Sequence, residues 1–190
     1  MLRSRYASVD ADHAIVVHPG IASQPAIVDS FCAYHADRGV DVWTPDDQFS
    51  REGSADSLVA LGAHVAETTR LPVFLVGSVR SATVIWSALQ VSDVFSGAVL
   101  IGDASPPVLS EQLTQSLGLN TKPVLYVIGA TGARSGLTAA PVGTGPVEVH
   151  THPDDVNRLM LTNPAAFSDV VLEWCVRQLS NHLNPTWRFE

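Results

Sequence analysis

Short apolar runs alternate along the chain with longer stretches in which apolar residues recur every three or four positions. That alternation predicts a parallel sheet whose strands are joined by crossover helices. Residues 14–17 form the first buried strand, which ends at His18-Pro19-Gly20. A helix over 24–38 follows, with Ser23 as its N-cap and Gly39 as its stop. Residues 40–43 predict a second strand, closed by Thr44-Pro45-Asp46-Asp47. The next helix starts near Ser54 and ends before Pro72, with Leu58, Leu61 and Val65 at helical spacing. Residues 73–76 form a third strand that enters Gly77-Ser78-Val79-Arg80-Ser81-Ala82, and a helix covers 81–91. The fourth strand, 97–101, ends at Gly102-Asp103. A short helix over 110–117 precedes the fifth strand at 123–128. The sixth strand is 147–150, and a last helix runs over 164–179, before a polar tail expected to fray. Residues 129–146 are rich in Gly, Ala, Thr and Pro and show no period; a loop of that length in a compact domain is usually functional.

Composition narrows this picture. The 190 residues suit one domain with a substantial core. Only 16% are charged, where about a quarter is usual, as expected of a sheet covered on both faces. Eleven Lys and Arg against 19 Asp and Glu leave a net charge of −8, which repels phosphate backbones and excludes nucleic acid as the expected partner. Cys32 and Cys175 fall on helical patterns and are expected to be separate buried thiols. The first six residues lack the apolar run of a signal peptide, and no stretch is apolar enough to span a bilayer. The expectation is a cytoplasmic protein with no membrane association.

The segment from Leu71 to Ala82, LPVFLVGSVRSA, resembles the strand-to-helix nucleophile elbow, G-x-S-x-G, of the α/β-hydrolase superfamily. Other segments are in step with it. His18-Pro19-Gly20 resembles the oxyanion loop, Gly129-Ala130-Thr131-Gly132 the turn that bears the acid, and residues 157–167 the passage from the histidine loop into the last helix. The resemblance covers about residues 14 to 180 and implies a minimal member without the N-terminal hairpin or the lid. It implies an open, mostly parallel sheet with helices on both faces. It also places Val79 in the nucleophile slot, Gly132 in the acid slot and Asn157 in the histidine slot, so each triad position is substituted. A β-branched residue is an outlier at the φ > 0 of a strained apex. Either the turn is relaxed, therefore, or the register slips and Ser78 takes the exposed place.

The candidate residues divide between two readings. In the first, the protein binds a small acyl- or carbonyl-bearing molecule without ordinary serine-ester hydrolysis, at a rim that holds His18, Gly20, Val79 and Arg80. Arg80 follows the apex, where its backbone N–H would serve an oxyanion hole and its guanidinium could hold an anionic group. In the second, Ser78, Asp103 and His152 form a shifted triad in the chain order Ser…Asp…His of an esterase or thioesterase. Against these stand plainer roles: an N-cap for Ser78, a turn aspartate for Asp103 and a solvated loop histidine for His152. His150 and His152 share one strand face beside Asp154 and Asp155, yet no second cluster supplies further ligands, so no metal is expected. Gly20 is a single glycine where a dinucleotide fingerprint needs three, so no cofactor is expected either. Trp43 and Trp86 are assigned to the core. An edge strand or the last helix offers a surface for a homodimer. Ligands of such sheets bind beyond the carboxyl ends of the strands, which is where the site is expected.

Overall fold

The computed structural model describes residues 2–18, 25–45, 54–102, 121–129, 146–163 and 165–183. Strands β1 (Leu2–Tyr6), β2 (His13–Val17), β3 (Val40–Pro45), β4 (Val73–Ser78), β5 (Phe95–Ile101), β6 (Val124–Gly129) and β7 (Val147–His152) form one seven-stranded sheet. Helices α1 (Pro25–Ala36), α2 (Ala55–Thr69), α3 (Ala82–Val91), α4 (Val156–Thr162) and α5 (Ala165–Leu183) complete the described elements, with a 3₁₀ turn at Val79–Ser81. The spatial order is β1-β3-β2-β4-β5-β6-β7; β1 is antiparallel to β3 and every other pair is parallel. No described helix is long and apolar enough to cross a membrane.

The near-continuous apolar strands follow from burial on both sides. Ala14, Val16, Leu75, Ala98, Leu100 and Tyr126 point into one core with Leu58 and Val65 of α2 and Ile85, Trp86 and Leu89 of α3. Ile15, Val17, Phe74, Val76, Val99 and Val127 point into the other with Phe31 and Cys32 of α1 and Val171, Trp174 and Cys175 of α5. Trp43 and Trp86 are core residues, as expected, and both cysteines are buried free thiols. Helix boundaries have local causes. Ser54 Oγ accepts the Ser57 N–H at 3.2 Å to start α2, and Gly39, at φ 85°, carries the chain out of α1 into β3.

Two elements depart from the expectation. The N-terminal residues, to which no strand was assigned, form edge strand β1. Arg5 holds it there, donating two hydrogen bonds to Asp41 at 3.2 and 2.7 Å while its guanidinium lies 4.7 Å over the Trp43 ring. Residues 156–162, expected to lie in a loop, form the short helix α4. Asp155 caps it, accepting the Arg158 N–H at 2.7 Å. The last helix also runs on to Leu183. It is tied to β7 by Glu148, whose carboxylate accepts from Trp174, Arg177 and Gln178. Ser23 and the helix expected at 110–117 lie outside the described residues, as does most of the long loop, 130–145.

His35 on α1 couples this fold to pH. It is fully buried, its Nδ1 lies 2.9 Å from the Phe31 carbonyl, and its Nε2 has no hydrogen-bond partner among the described residues. Burial pushes its pKa down from 6.5 to about 4; the Phe31 carbonyl opposes this, His13 and Arg38 reinforce it, and Asp169 opposes it. The unfolded chain therefore binds the proton more readily than the folded one. Stability from this group is complete above about pH 6.5 and is lost as pH falls toward about 4, by about 3 kcal/mol. Urea unfolding of the His35→Phe variant across that window is expected to show a flatter pH dependence than the parent. An unchanged slope would assign the acid sensitivity elsewhere.

Candidate functional site

Strand order reverses between β2 and β4: from β2 the sheet grows toward β3 and β1, and from β4 it grows toward β5, β6 and β7. Loops leaving the carboxyl ends of two such strands diverge and open a crevice, where ligands of open α/β sheets bind. In this chain those two ends carry His18 and Ser78.

Pairing of β2 with β4 places Val17 opposite Val76, and the His18 N–H then donates to the Val76 carbonyl at 2.7 Å. Beyond β4 the backbone enters the 3₁₀ turn directly. Ser78 is extended, at φ −83° and ψ 157°, and among the described non-glycine residues only Arg70 has positive φ. The turn is therefore relaxed, which answers the first of the two alternatives posed by a valine at this position. The Val79 side chain is turned into the core at 1% exposure and lies against Gly102 at the end of β5.

A 3₁₀ turn has three residues per turn, so side chains at i and i+3 eclipse. This brings the Ser78 and Ser81 hydroxyls to 3.2 Å, and Ser81 Oγ lies 3.0 Å from His18 Nδ1. The three side chains are buried without being sealed, at 7%, 8% and 8% exposure. Burial lowers the His18 pKa, so the ring is neutral at pH 7 and one nitrogen accepts. With Nδ1 as that acceptor, Ser81 donates to His18 and Ser78 donates to Ser81. Both serines stand at helix N-cap positions, Ser78 before the 3₁₀ turn and Ser81 before α3, yet neither hydroxyl makes a cap hydrogen bond. A serine cap is typically worth about 1 kcal/mol. Both hydroxyls instead join a chain that includes an imidazole.

The other sequence candidates fall elsewhere. His152 is the last residue of β7, three strands from β4 or about 14 Å at ordinary strand spacing. Its Nδ1 accepts the Asp154 N–H at 3.1 Å, and the described hydrogen bonds of Ser78 and His152 do not join them. Asn157 lies in the first turn of α4 and Arg80 in the 3₁₀ turn; for both, the backbone alone is described. Gly20, Asp103 and Gly132 lie outside the described residues. Among the described residues no three His, Cys, Asp or Glu side chains converge as a metal site would require. Sequence reasoning gave Ser81 no functional role. The signal that would have found it is the serine spacing of three across a strand-to-helix turn.

Solved structures resemble this chain throughout its length. The esterase domain of a Rhodothermus marinus protein matches with a TM-score of 0.67 at 16% identity, covering 91% of each chain. Est1E from Butyrivibrio proteoclasticus, solved with ferulic acid, matches at 0.65 and 10%, covering 94% of this chain and 96% of that one. The Vlm2 thioesterase domain, solved with a dodecadepsipeptide, matches at 0.60 and 10%, covering 92% and 97%. This chain has the α/β-hydrolase fold. No protein-family model and no curated protein sequence matches it. In the α/β-hydrolase fold the nucleophile stands on a sharp, strained turn between strand and helix. Here the corresponding turn is unstrained, its central side chain is buried, and the polar group beside it is a hydroxyl–hydroxyl–imidazole chain.

The close approach that builds this chain depends on Gly77. A Cβ there would lie 2.4 Å from Ile85 Cδ1, in the packed core, and 3.2 Å from His18 Cβ. Gly77→Ala is therefore expected to cost about 1–3 kcal/mol in urea unfolding, as overpacked core positions do. Ser78→Ala, which removes only the outer hydroxyl of the chain, is expected to cost no more than about 1 kcal/mol. Equal stability of the Gly77→Ala variant and the parent would contradict the packing account.

Proposed function

We propose that this chain binds a small acyl- or carbonyl-bearing molecule in the crevice at the carboxyl ends of β2 and β4, and that it is not a conventional serine hydrolase. The observation that carries this reading is Val79. The resemblance of this turn to the nucleophile elbow puts an isopropyl group in the nucleophile slot, and that group is packed inward. Triad chemistry needs a nucleophile in hydrogen-bond reach of its base, and that position has neither the heteroatom nor the exposure. The choice of acyl or carbonyl ligand is supported by the structural neighbours, named as esterases and a thioesterase. It is supported also by hydroxyl and imidazole groups that can bond a carbonyl oxygen or a carboxylate. Such a protein acts by orientation and hydrogen bonding, in a non-hydrolytic step or as a binding subunit. No cofactor enters this reading.

A ligand that binds only the folded state raises the unfolding temperature with its concentration. A panel of short-chain carboxylic acids, methyl ketones, esters and thioesters is expected to contain members that do so. Ser78→Trp, which fills the crevice mouth, is expected to abolish that stabilisation. Steady-state hydrolysis of generic esters is expected to stay at the uncatalysed rate, in the parent and in Val79→Ser alike, because a hydroxyl at position 79 faces the core. Sustained multiple turnover by the parent would contradict the reading and favour the shifted triad of Ser78, Asp103 and His152.

A further inference from the structure

We propose that Ser81 and His18 form a proton relay behind Ser78 that makes Ser78 Oγ an acyl acceptor toward activated esters and thioesters. This rests on the preceding reading that an acyl compound enters the crevice; it adds which atom would take the acyl group and how that atom loses its proton. The geometry supplies a continuous path, Ser78 Oγ to Ser81 Oγ at 3.2 Å and Ser81 Oγ to His18 Nδ1 at 3.0 Å. The path joins residues 63 positions apart in sequence, across the strand pair that flanks the crevice. It also draws both serines away from the backbone groups that cap residues ordinarily serve, which is a local rule broken at a place where ligands bind. Ser78 and His18 stand at the carboxyl ends of β4 and β2, and Ser81 bridges them, all three at 7–8% exposure.

The step this arrangement performs is a transfer. As Ser78 Oγ bonds to the acyl carbon, the Ser78 proton moves to Ser81 Oγ and the Ser81 proton moves to His18 Nδ1. The tetrahedral centre collapses, and the bond to the leaving sulfur or oxygen breaks with its electron pair. The leaving group departs as thiolate or aryloxide, and the imidazolium returns its proton to water. The net change is a serine hydroxyl and an acyl donor giving an acyl-serine and a free thiol or phenol. Ser81 and His18 act only through Ser78. A base placed this way typically raises such a rate by about 10²–10⁴-fold.

The test uses p-nitrophenyl acetate and a fluorophosphonate, with intact mass and peptide mapping as the readout. A single adduct on Ser78 is expected, absent in Ser78→Ala. Adduct formation is expected to slow at least about tenfold in Ser81→Ala and in His18→Asn, and to recover in Ser81→Thr, which restores the hydroxyl. Should Ser81→Ala lose cooperative unfolding, His18→Asn carries the same comparison. An adduct absent from Ser78, or formed as fast in both relay variants as in the parent, overturns the relay. A methyl ketone, which has no leaving group, is titrated in parallel by thermal unfolding. Stabilisation by the ketone with no Ser78 adduct overturns the relay and leaves the binding reading standing; neither stabilisation nor adduct overturns both.

Discussion

With no Cβ at Gly77, Ile85 of α3 and His18 beyond β2 both press against the end of β4, and the rest of the carboxyl edge is arranged around that contact. The approach of α3 sets the direction in which the chain leaves the strand. A right-handed 3₁₀ turn then suffices to connect the two, and no residue of the turn takes a positive φ. The same contact holds the His18 ring beside the turn. Because three residues complete one turn of that helix, Ser78 and Ser81 stack toward the ring while Val79, between them, is carried into the core. Polar chain and buried valine are thus two results of one piece of backbone.

This geometry separates the shape of the α/β-hydrolase fold from the chemistry usually mounted on it. The switch point between β2 and β4 follows from strand order, which is a property of the whole sheet. Reactivity at the apex is a local matter, set by one side chain and one strained residue; here the turn has no positive φ and Val79 is buried. The hydrogen bonds of Ser78 and Ser81 reach across to β2, not toward β7, where His152 is engaged by its own turn. Burial lowers the His18 pKa and favours the neutral imidazole, which has one nitrogen able to accept a hydrogen bond where a charged ring has none.

The sheet was legible in the sequence because its strands are buried on both faces and so appear as unbroken apolar runs such as Ala14-Ile15-Val16-Val17. The helix starting at Ser54 was legible from its cap. β1 was not, since Leu-Arg-Ser-Arg-Tyr has no apolar run; its place depends on backbone pairing with β3 and on Asp41, 36 positions away from Arg5. Helix α4 was missed because seven residues show too little period, although Asp155 is an ordinary cap. At the site, the resemblance drew attention to the turn at Val79. The inward orientation of that side chain was not legible, because a valine disfavours a strained apex without saying whether the turn relaxes or the register slips. The Ser81–His18 contact was invisible because it exists only once β2 and β4 are paired.

The central claim is that a relaxed turn buries Val79 and gathers Ser78, Ser81 and His18 into one hydrogen-bonded chain. A high-resolution crystal structure of this turn tests it most directly. The account predicts density for Val79 at negative φ with its methyl groups in the core, and Ser81 Oγ within hydrogen-bond distance of both Ser78 Oγ and His18 Nδ1. Val79 at positive φ with its side chain in the crevice, or Ser78 Oγ bonded to the His152 imidazole, would contradict it.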